Sequence, residues 1–220
     1  MIGTLSGPGA KDSAAPKTIA WDVDDVLNGL LRAWLDERAG DLRAPSAPSA
    51  PSVQPVAYEA LRHNPPHEAL GLTRERYLES LDDFRLARAA ELPPCPEVLA
   101  WFEAHGDGFR HLAVTATPLH TAPISAAWVL RHFGRWIRTV TIVPSPRPQD
   151  TSKRWETTKL EHLGWLKHVD ALVDDLPRNL EGAATAGVVA VTFPQPWNGE
   201  TAPIAAVLAA MARRLEERRA

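Results

Sequence analysis

Five short apolar runs constrain the fold of this chain most, because they are continuous rather than alternating. They cover residues 18–23, 111–115, 139–143, 171–174 and 188–193. Strands buried on both faces of a parallel sheet have this pattern, whereas strands with one wet face alternate apolar and polar residues. Apolar residues have helical spacing at 96–105, just before the second run. The same spacing recurs after the later runs, at 123–133, 156–167, 176–186 and 202–218. The alternation predicts an α/β fold with a doubly wound parallel sheet.

One long interval, between the first and second runs, interrupts this alternation. Helical patterns at 26–38 and 73–90 flank a Pro/Ala/Ser-rich segment at 44–56, whose three-residue repeat favours extended, solvated chain. We therefore expect a core formed by residues 17–29 and 93–220 and a small helical cap inserted at 30–92. Residues 1–16, rich in Gly, Ser and Ala, are expected to form a flexible leader.

Composition excludes several classes of function. Lys and Arg number 24 and Asp and Glu 27, so a net charge of −3 provides no chain-wide basic field for a nucleic-acid polymer. Cys95 is the single cysteine, which excludes an internal disulfide and a cysteine-built zinc site. No apolar run approaches the roughly 20 residues that a membrane helix needs. These features favour a cytoplasmic protein with a small-molecule partner, and they leave the oligomeric state open.

Acidic residues follow two of the predicted strands directly. Asp22 lies near the end of the first run and Asp24 and Asp25 follow it, while Asp174 ends the fourth run and Asp175 follows it. Ligands of open parallel sheets bind beyond the carboxyl ends of the strands, where these side chains would collect. Clustered carboxylates repel one another without a counter-cation, and hard oxygen ligands suit Mg²⁺. The sequence therefore predicts a magnesium site, with Asp25 as a helix-start acid or a surface residue.

Further residues that suit phosphate lie near the other strand ends. Thr115 ends the second run and offers a hydroxyl, and the backbone N–H groups after it, beginning with Ala116, can bind phosphate oxygens. Lys159 opens a helical stretch before the acidic strand and can neutralise phosphate or carboxylate charge. Lys153 is the alternative lysine. A carboxylate nucleophile, a second carboxylate, a lysine, a hydroxyl and a metal together indicate phosphoryl transfer.

These segments, in this order, resemble the four motifs of the haloacid dehalogenase (HAD) superfamily. The four segments are IAWDVDDVLN, AVTATP, Lys159 and LVDDLPRN, within residues 18–193. The resemblance implies a Rossmann-like core with a cap inserted after the first strand. It implies that Asp22 is the nucleophile that forms an aspartyl-phosphate, and that Asp24 is the general acid and then the general base.

The same resemblance implies the ligand set. Mg²⁺ would be held by the Asp22 carboxylate, the Asp24 backbone carbonyl and Asp175, with Asp174 behind the direct ligands or acting through water. Thr115 and the Ala116 N–H would bind the phosphoryl oxygens, and Lys159 would anchor the nucleophile and the phosphate. The chain departs from the pattern where many members carry a further acid, because Asn179 and then Glu181 stand there.

A narrower resemblance concerns the substrate. The VDD ending, Gly187-Val188, Phe193 and the run Pro196-Trp197-Asn198 are similar to the 5′(3′)-deoxyribonucleotidase-type 5′-nucleotidase branch, which implies a nucleoside monophosphate. We predict a Mg²⁺-dependent phosphatase, a hydrolase of phosphoric monoester bonds, acting on a small phosphorylated metabolite. A phosphotransferase or a non-catalytic binding module of the same fold are the alternatives. The residues around 62–67 and 120–125 are candidates to line the substrate side.

Overall fold

Five strands form one parallel sheet in the computed structural model, which describes residues 15–41, 56–143, 145, 147, 155–166 and 168–218. They are β1 (Thr18–Trp21), β2 (Arg110–Thr115), β3 (Ile137–Ile142), β4 (Ala171–Asp174) and β5 (Val189–Thr192). Their order is β3-β2-β1-β4-β5, and every neighbouring pair is parallel. The predicted doubly wound α/β fold is confirmed, with β1 at the centre of the sheet.

Seven α-helices accompany the sheet in the described part of the chain. They are α1 (Leu30–Asp41), α2 (Arg74–Arg88), α3 (Pro96–His105), α4 (Ala122–Phe133), α5 (Lys159–Leu166), α6 (Pro177–Leu180) and α7 (Ile204–Glu217). None of these helices is long and apolar enough to cross a membrane. The prediction of one helix over 176–186 is wrong in its length, because Glu181 turns to ψ 129° and Gly182 has φ 80°. Turns therefore replace the helix after Leu180.

Apolar clusters cover both faces of the sheet. Ile19 and Trp21 of β1 face the cluster that includes α3, α4 and α7, while Ala20 faces the cluster that includes Leu163 of α5 and Leu180. Side chains alternate between the two faces along a strand, and every residue of β1 is buried. Burial on both sides is the physical reason for the apolar runs at β1 and β4, whereas the edge strand β3 is partly exposed.

The helices between β1 and β2 bury an apolar cluster of their own. It contains Leu31 and Trp34 of α1 together with Tyr77, Leu81 and Phe84 of α2. The chain leaves and re-enters the core at one place, where Asn28 and Pro94 form an antiparallel bridge and the Cys95 N–H donates to the Leu27 carbonyl at 2.8 Å. We call residues 30–92 the insertion. Residues 1–14 and 42–55, which include most of the predicted leader and of the Pro-rich segment, lie outside the described residues.

Candidate active site

The acidic ends of β1 and β4 lie side by side. Trp21 pairs with Val173, and the Asp22 N–H continues the ladder by donating to the Val173 carbonyl at 2.9 Å. As a result, Asp22, Asp174 and Asp175 are all buried, and each offers a carboxylate oxygen within 4.8 Å of the others. The structure thus brings together acidic residues that are about 150 positions apart in the sequence.

Lys159 is the cation of this cluster. Its ammonium lies 2.6 Å from Asp22 Oδ2 and 2.7 Å from Asp174 Oδ2, and the side chain is 2% exposed. Burial opposes the charge on Lys159, but Asp174 and Asp22 outweigh it and raise the Lys159 pKa above its ordinary value. Lys159 opens α5, as the sequence predicted, whereas Lys153 lies outside the described residues.

The charge balance of the cluster favours a divalent cation. Among the described residues, three buried carboxylates lie together, and Lys159 forms ion pairs with two of them, Asp22 and Asp174. Burial raises the pKa of Asp22 well above its usual range in spite of Lys159, and it raises the pKa of Asp175 with a further contribution from Asp174. A cation bound by these oxygens would relieve that repulsion, and an all-oxygen donor set suits Mg²⁺. The residues present therefore fit the metal that the sequence predicted.

The two acids of β4 differ in their hydrogen bonds. Asp174 Oδ1 accepts from the Leu176 N–H and from Asn179 Nδ2, each at 2.9 Å, while Oδ2 accepts from Lys159. Both oxygens of Asp174 are thus bound by protein groups. Asp175 accepts at Oδ2, from Trp197 Nε1 at 3.0 Å. This difference favours Asp175 as the direct metal ligand. The hydrogen bond from Asn179 helps to orient the Asp174 carboxylate.

A small cavity lies against the cluster. Its volume is about 110 Å³, and its core-side lining comprises Asp22, Asp24, Thr115, Ala116, Lys159 and Asp175. Leu31, Tyr77 and Leu81 of the insertion cover it. Pockets that enclose drug-sized ligands measure roughly 300–1,000 Å³, so this cavity has the scale of a phosphoryl group rather than of a whole metabolite.

Sequence reasoning missed Arg85, a residue of α2 that reaches the site. Its Nη2 donates to Asp24 Oδ2 at 3.0 Å and its Nη1 to Asp82 Oδ1 at 2.9 Å. Burial opposes the charge on Arg85, but Asp24 and Asp82 outweigh it and raise the Arg85 pKa. The sequence feature that could have indicated Arg85 is its position, because it stands four residues after Leu81 and therefore on the apolar face of α2.

A second buried ion pair ties the same helix to the core. Arg147, in the segment after β3, binds Asp82 in two places, from Nε to Oδ2 at 2.6 Å and from Nη2 to Oδ1 at 2.8 Å. Arg85 and Arg147 thus share Asp82, and α2 is joined to the core both at Asp24 and after β3. This arrangement holds the insertion over the cavity.

Asp25 is buried in the turn that follows β1. Its side-chain Oδ1 accepts from the Leu31 N–H at 2.8 Å, which agrees with the predicted helix-start acid, whereas the alternative of a surface residue is wrong. The residue has φ 62°, a left-handed conformation that Asp and Asn tolerate better than most residues. Burial, opposed by the Leu31 hydrogen bond and reinforced by Asp24 and Asp22, raises the pKa of Asp25 to about 8.

We expect Asp25→Asn to stabilise the metal-free protein in a pH-dependent way. Asparagine keeps the acceptor for Leu31 and the left-handed backbone but removes the buried charge. Because the folded-state pKa exceeds the unfolded one, Asp25 costs nothing below about pH 4 and costs more as the pH rises towards 8. The gain in unfolding free energy should be on the order of a few kcal/mol near pH 8 and close to zero near pH 4.

Urea unfolding in EDTA, at several pH values between these limits, measures the gain. Asp36→Asn, at an exposed acid of α1, is the control and should show no such trend. A stability difference that stays constant across the pH range contradicts the assignment.

Of the residues predicted to line the substrate side, some contact the cavity and others lie outside it. Among Arg62, His63, Asn64 and His67, the residue that lines the cavity is Asn64, whose Nδ2 lies 3.5 Å from Asp175 Oδ2. His120 lies outside the lining, with its Nε2 4.0 Å from Asp82 Oδ2.

Comparison with known proteins identifies the fold. No protein-family model matches the chain, and no curated protein matches its sequence. A HAD-like family hydrolase of Streptococcus pneumoniae superposes with TM-score 0.55 at 13% identity, covering 90% of this chain and 98% of that one. A HAD-like hydrolase of Xanthomonas campestris gives 0.53 at 12%, covering 93% and 97%. Protein tyrosine kinase A of Mycobacterium tuberculosis gives 0.55 at 20%, covering 86% and 90%.

The chain therefore has the Rossmann-like α/β fold of HAD-like hydrolases. At these identities the similarity concerns the fold, and the same fold occurs in a protein named as a kinase. The nucleotidase branch remains a prediction from the sequence, since none of these three neighbours is named as a nucleotidase.

Proposed function

We propose that this protein is a Mg²⁺-dependent phosphatase that hydrolyses a small phosphomonoester through an aspartyl-phosphate on Asp22. The observation that carries the proposal is the buried group of Asp22, Asp174, Asp175 and Lys159 beside a cavity of about 110 Å³. Few structural roles require three buried carboxylates at a strand-end cleft, whereas phosphoryl transfer uses such a group directly.

Asp22 is the proposed nucleophile. The Val23 N–H donates to its Oδ1 at 2.7 Å and Lys159 binds its Oδ2, so the carboxyl group is held in a fixed orientation. Burial raises its pKa, and Lys159 together with a bound Mg²⁺ would favour the ionised form that attacks phosphorus. Attack forms a bond between Asp22 and phosphorus and breaks the ester P–O bond, and Asp24 protonates the leaving oxygen. Asp24 then takes a proton from water, which attacks the acyl phosphate and releases phosphate and Asp22.

The other groups bind and shield the phosphoryl group. The Thr115 hydroxyl, the Ala116 N–H and Lys159 would bind its oxygens. Mg²⁺, held by Asp22, Asp175 and the Asp24 carbonyl, would supply positive charge to the transferring group. The insertion covers the cavity, and Arg85 binds the Asp24 carboxylate. Since the cavity is smaller than a whole metabolite, we expect the insertion to move when the substrate enters.

The substrate class rests on the sequence. We propose a small phosphorylated metabolite, with a nucleoside monophosphate as the first to test, and neither a nucleic-acid polymer nor a membrane as partner. Cytoplasmic location belongs to the same proposal. The single cysteine, Cys95, suits a reducing compartment.

Transfer to a second acceptor is the other candidate function. The observation that favours it is the similarity to protein tyrosine kinase A, at TM-score 0.55. The two candidates share every step up to the aspartyl-phosphate and differ in whether water or another nucleophile attacks it. Adding acceptor alcohols or peptides during turnover distinguishes them, because transfer yields a phosphorylated acceptor at the expense of free phosphate.

We expect the purified protein to release phosphate from a generic aryl phosphate when Mg²⁺ is present. EDTA should abolish release and excess Mg²⁺ should restore it, because the three carboxylates then regain their counter-ion. Phosphate release is measured colorimetrically, followed by a panel of phosphorylated metabolites that includes nucleotides. Release that is indifferent to EDTA, or no release from any phosphomonoester, contradicts the proposal and favours a non-catalytic binding module.

A further inference from the structure

The loop after β5 makes two contacts with Asp175. Trp197 Nε1 donates to the Asp175 carboxylate at Oδ2, at 3.0 Å. Asn198 Nδ2 donates at 2.8 Å to the Asp175 backbone carbonyl and at 2.7 Å to that of Phe193. Consecutive residues of one loop therefore hold both the backbone and the side chain of Asp175.

Trp197 is itself held from the side of the insertion. Its ring meets that of Tyr58 edge-on, with centroids 5.6 Å apart and an interplanar angle of 76°. Tyr58 is buried among the apolar residues of the insertion, and its hydroxyl donates to Gln195 Oε1 at 2.5 Å. An indole packed in this way has little rotational freedom, so its N–H points at Asp175 in a fixed direction.

We propose that Trp197 is a positioning residue for the metal site, which acts by orienting the Asp175 carboxylate. The inference rests on the proposed function, because it takes Asp175 as a direct ligand of Mg²⁺. A hydrogen bond from a neutral N–H to a buried carboxylate is charge-assisted, and it fixes the plane in which the second oxygen is presented. Removing such an outer partner of a metal ligand typically weakens metal binding by roughly 10–100-fold.

Trp197→Phe tests the inference, because phenylalanine keeps a ring against Tyr58 and removes the N–H donor. Isothermal titration of the EDTA-treated protein with Mg²⁺ should show a dissociation constant raised by roughly 10–100-fold. The Mg²⁺ concentration for half-maximal activity should rise by a similar factor, with kcat at saturating Mg²⁺ changed by no more than a few-fold. A purely structural role would not shift metal affinity in this selective way.

Two aromatic variants are the controls. Tyr58→Phe keeps the ring contact with Trp197 and loses the bond to Gln195, and Trp165→Phe changes an indole that is 68% exposed. Both should bind Mg²⁺ like the wild type. Tryptophan fluorescence emission offers a second readout that can be measured on the unsubstituted protein. Mg²⁺ bound at Asp175 should alter the electric field at the indole that donates to this carboxylate. Wild-type and Trp165→Phe emission should therefore change with Mg²⁺.

The outcomes separate this inference from the proposed function. If the wild type binds Mg²⁺ and hydrolyses phosphomonoesters but Trp197→Phe has unchanged metal affinity, the positioning role is overturned and the phosphatase proposal stands. An Mg²⁺-dependent emission change that is the same in the wild type and in Trp197→Phe also overturns it. A wild-type protein that neither binds Mg²⁺ nor releases phosphate overturns the proposed function first.

Discussion

Asp22→Asn is expected to reduce phosphate release from an aryl phosphate by roughly 10⁴-fold or more, with the fold intact. An amide has the shape of the carboxylate but is not a nucleophile towards phosphorus, so the covalent step is lost. The fold should survive because Lys159 keeps its ion pair with Asp174 at 2.7 Å and because the substitution removes a buried negative charge. Initial rates at saturating Mg²⁺ and circular dichroism measure the two effects.

Asp36→Asn is the matched control, since Asp36 is an exposed carboxylate in α1. It should retain wild-type activity. Wild-type turnover by Asp22→Asn would show that another group attacks the phosphoryl group.

Lys159→Met is expected to lower the free energy of unfolding by about 3–5 kcal/mol near neutral pH in EDTA, and to abolish activity. Methionine fills much of the space but leaves Asp22 and Asp174 buried without the ammonium that lies 2.6 and 2.7 Å away. The loss should shrink as the pH falls, because protonated carboxyl groups need no counter-charge. Urea unfolding at several pH values measures both the loss and its trend.

A double variant and a surface lysine make this test specific. Lys159→Met combined with Asp174→Asn should be more stable than Lys159→Met alone, since one of the unpaired charges is gone. Lys17→Met breaks a partly exposed pair with Asp170, at 3.1 Å, and should cost at most about 1 kcal/mol. Equal losses for Lys17→Met and Lys159→Met would contradict the assignment of Lys159 as the cation of the cluster.

The strands and the place of the site followed from local sequence. A strand that is buried on both faces is apolar throughout, so β1 and β4 were visible as runs, and the acids directly after them had to lie at one edge of a parallel sheet. The sequence also placed Lys159 near the site, because this residue opens the helix that precedes β4.

The side-chain partners of the site did not follow from sequence. Arg85 and Asp24 are 61 residues apart, and Trp197 and Asp175 are 22 residues apart on separate loops. Such contacts depend on how the insertion and the β5 loop pack onto the core, which apolar periodicity does not encode. The end of α6 depended on the backbone of Gly182, and the burial of Asp25 depended on the tight turn at 23–28.

Mass spectrometry of the acid-quenched Asp24→Asn protein, mixed with an aryl phosphate and Mg²⁺, tests the chemistry most directly. An aryl leaving group needs little protonation, so Asp22 should still be phosphorylated, while the loss of the base that activates water should let the intermediate accumulate. The peptide that contains Asp22 should carry one added phosphoryl group, on that residue. Release of phosphate with Asp22 unmodified, or a phosphoryl group found on a different residue, would contradict the account.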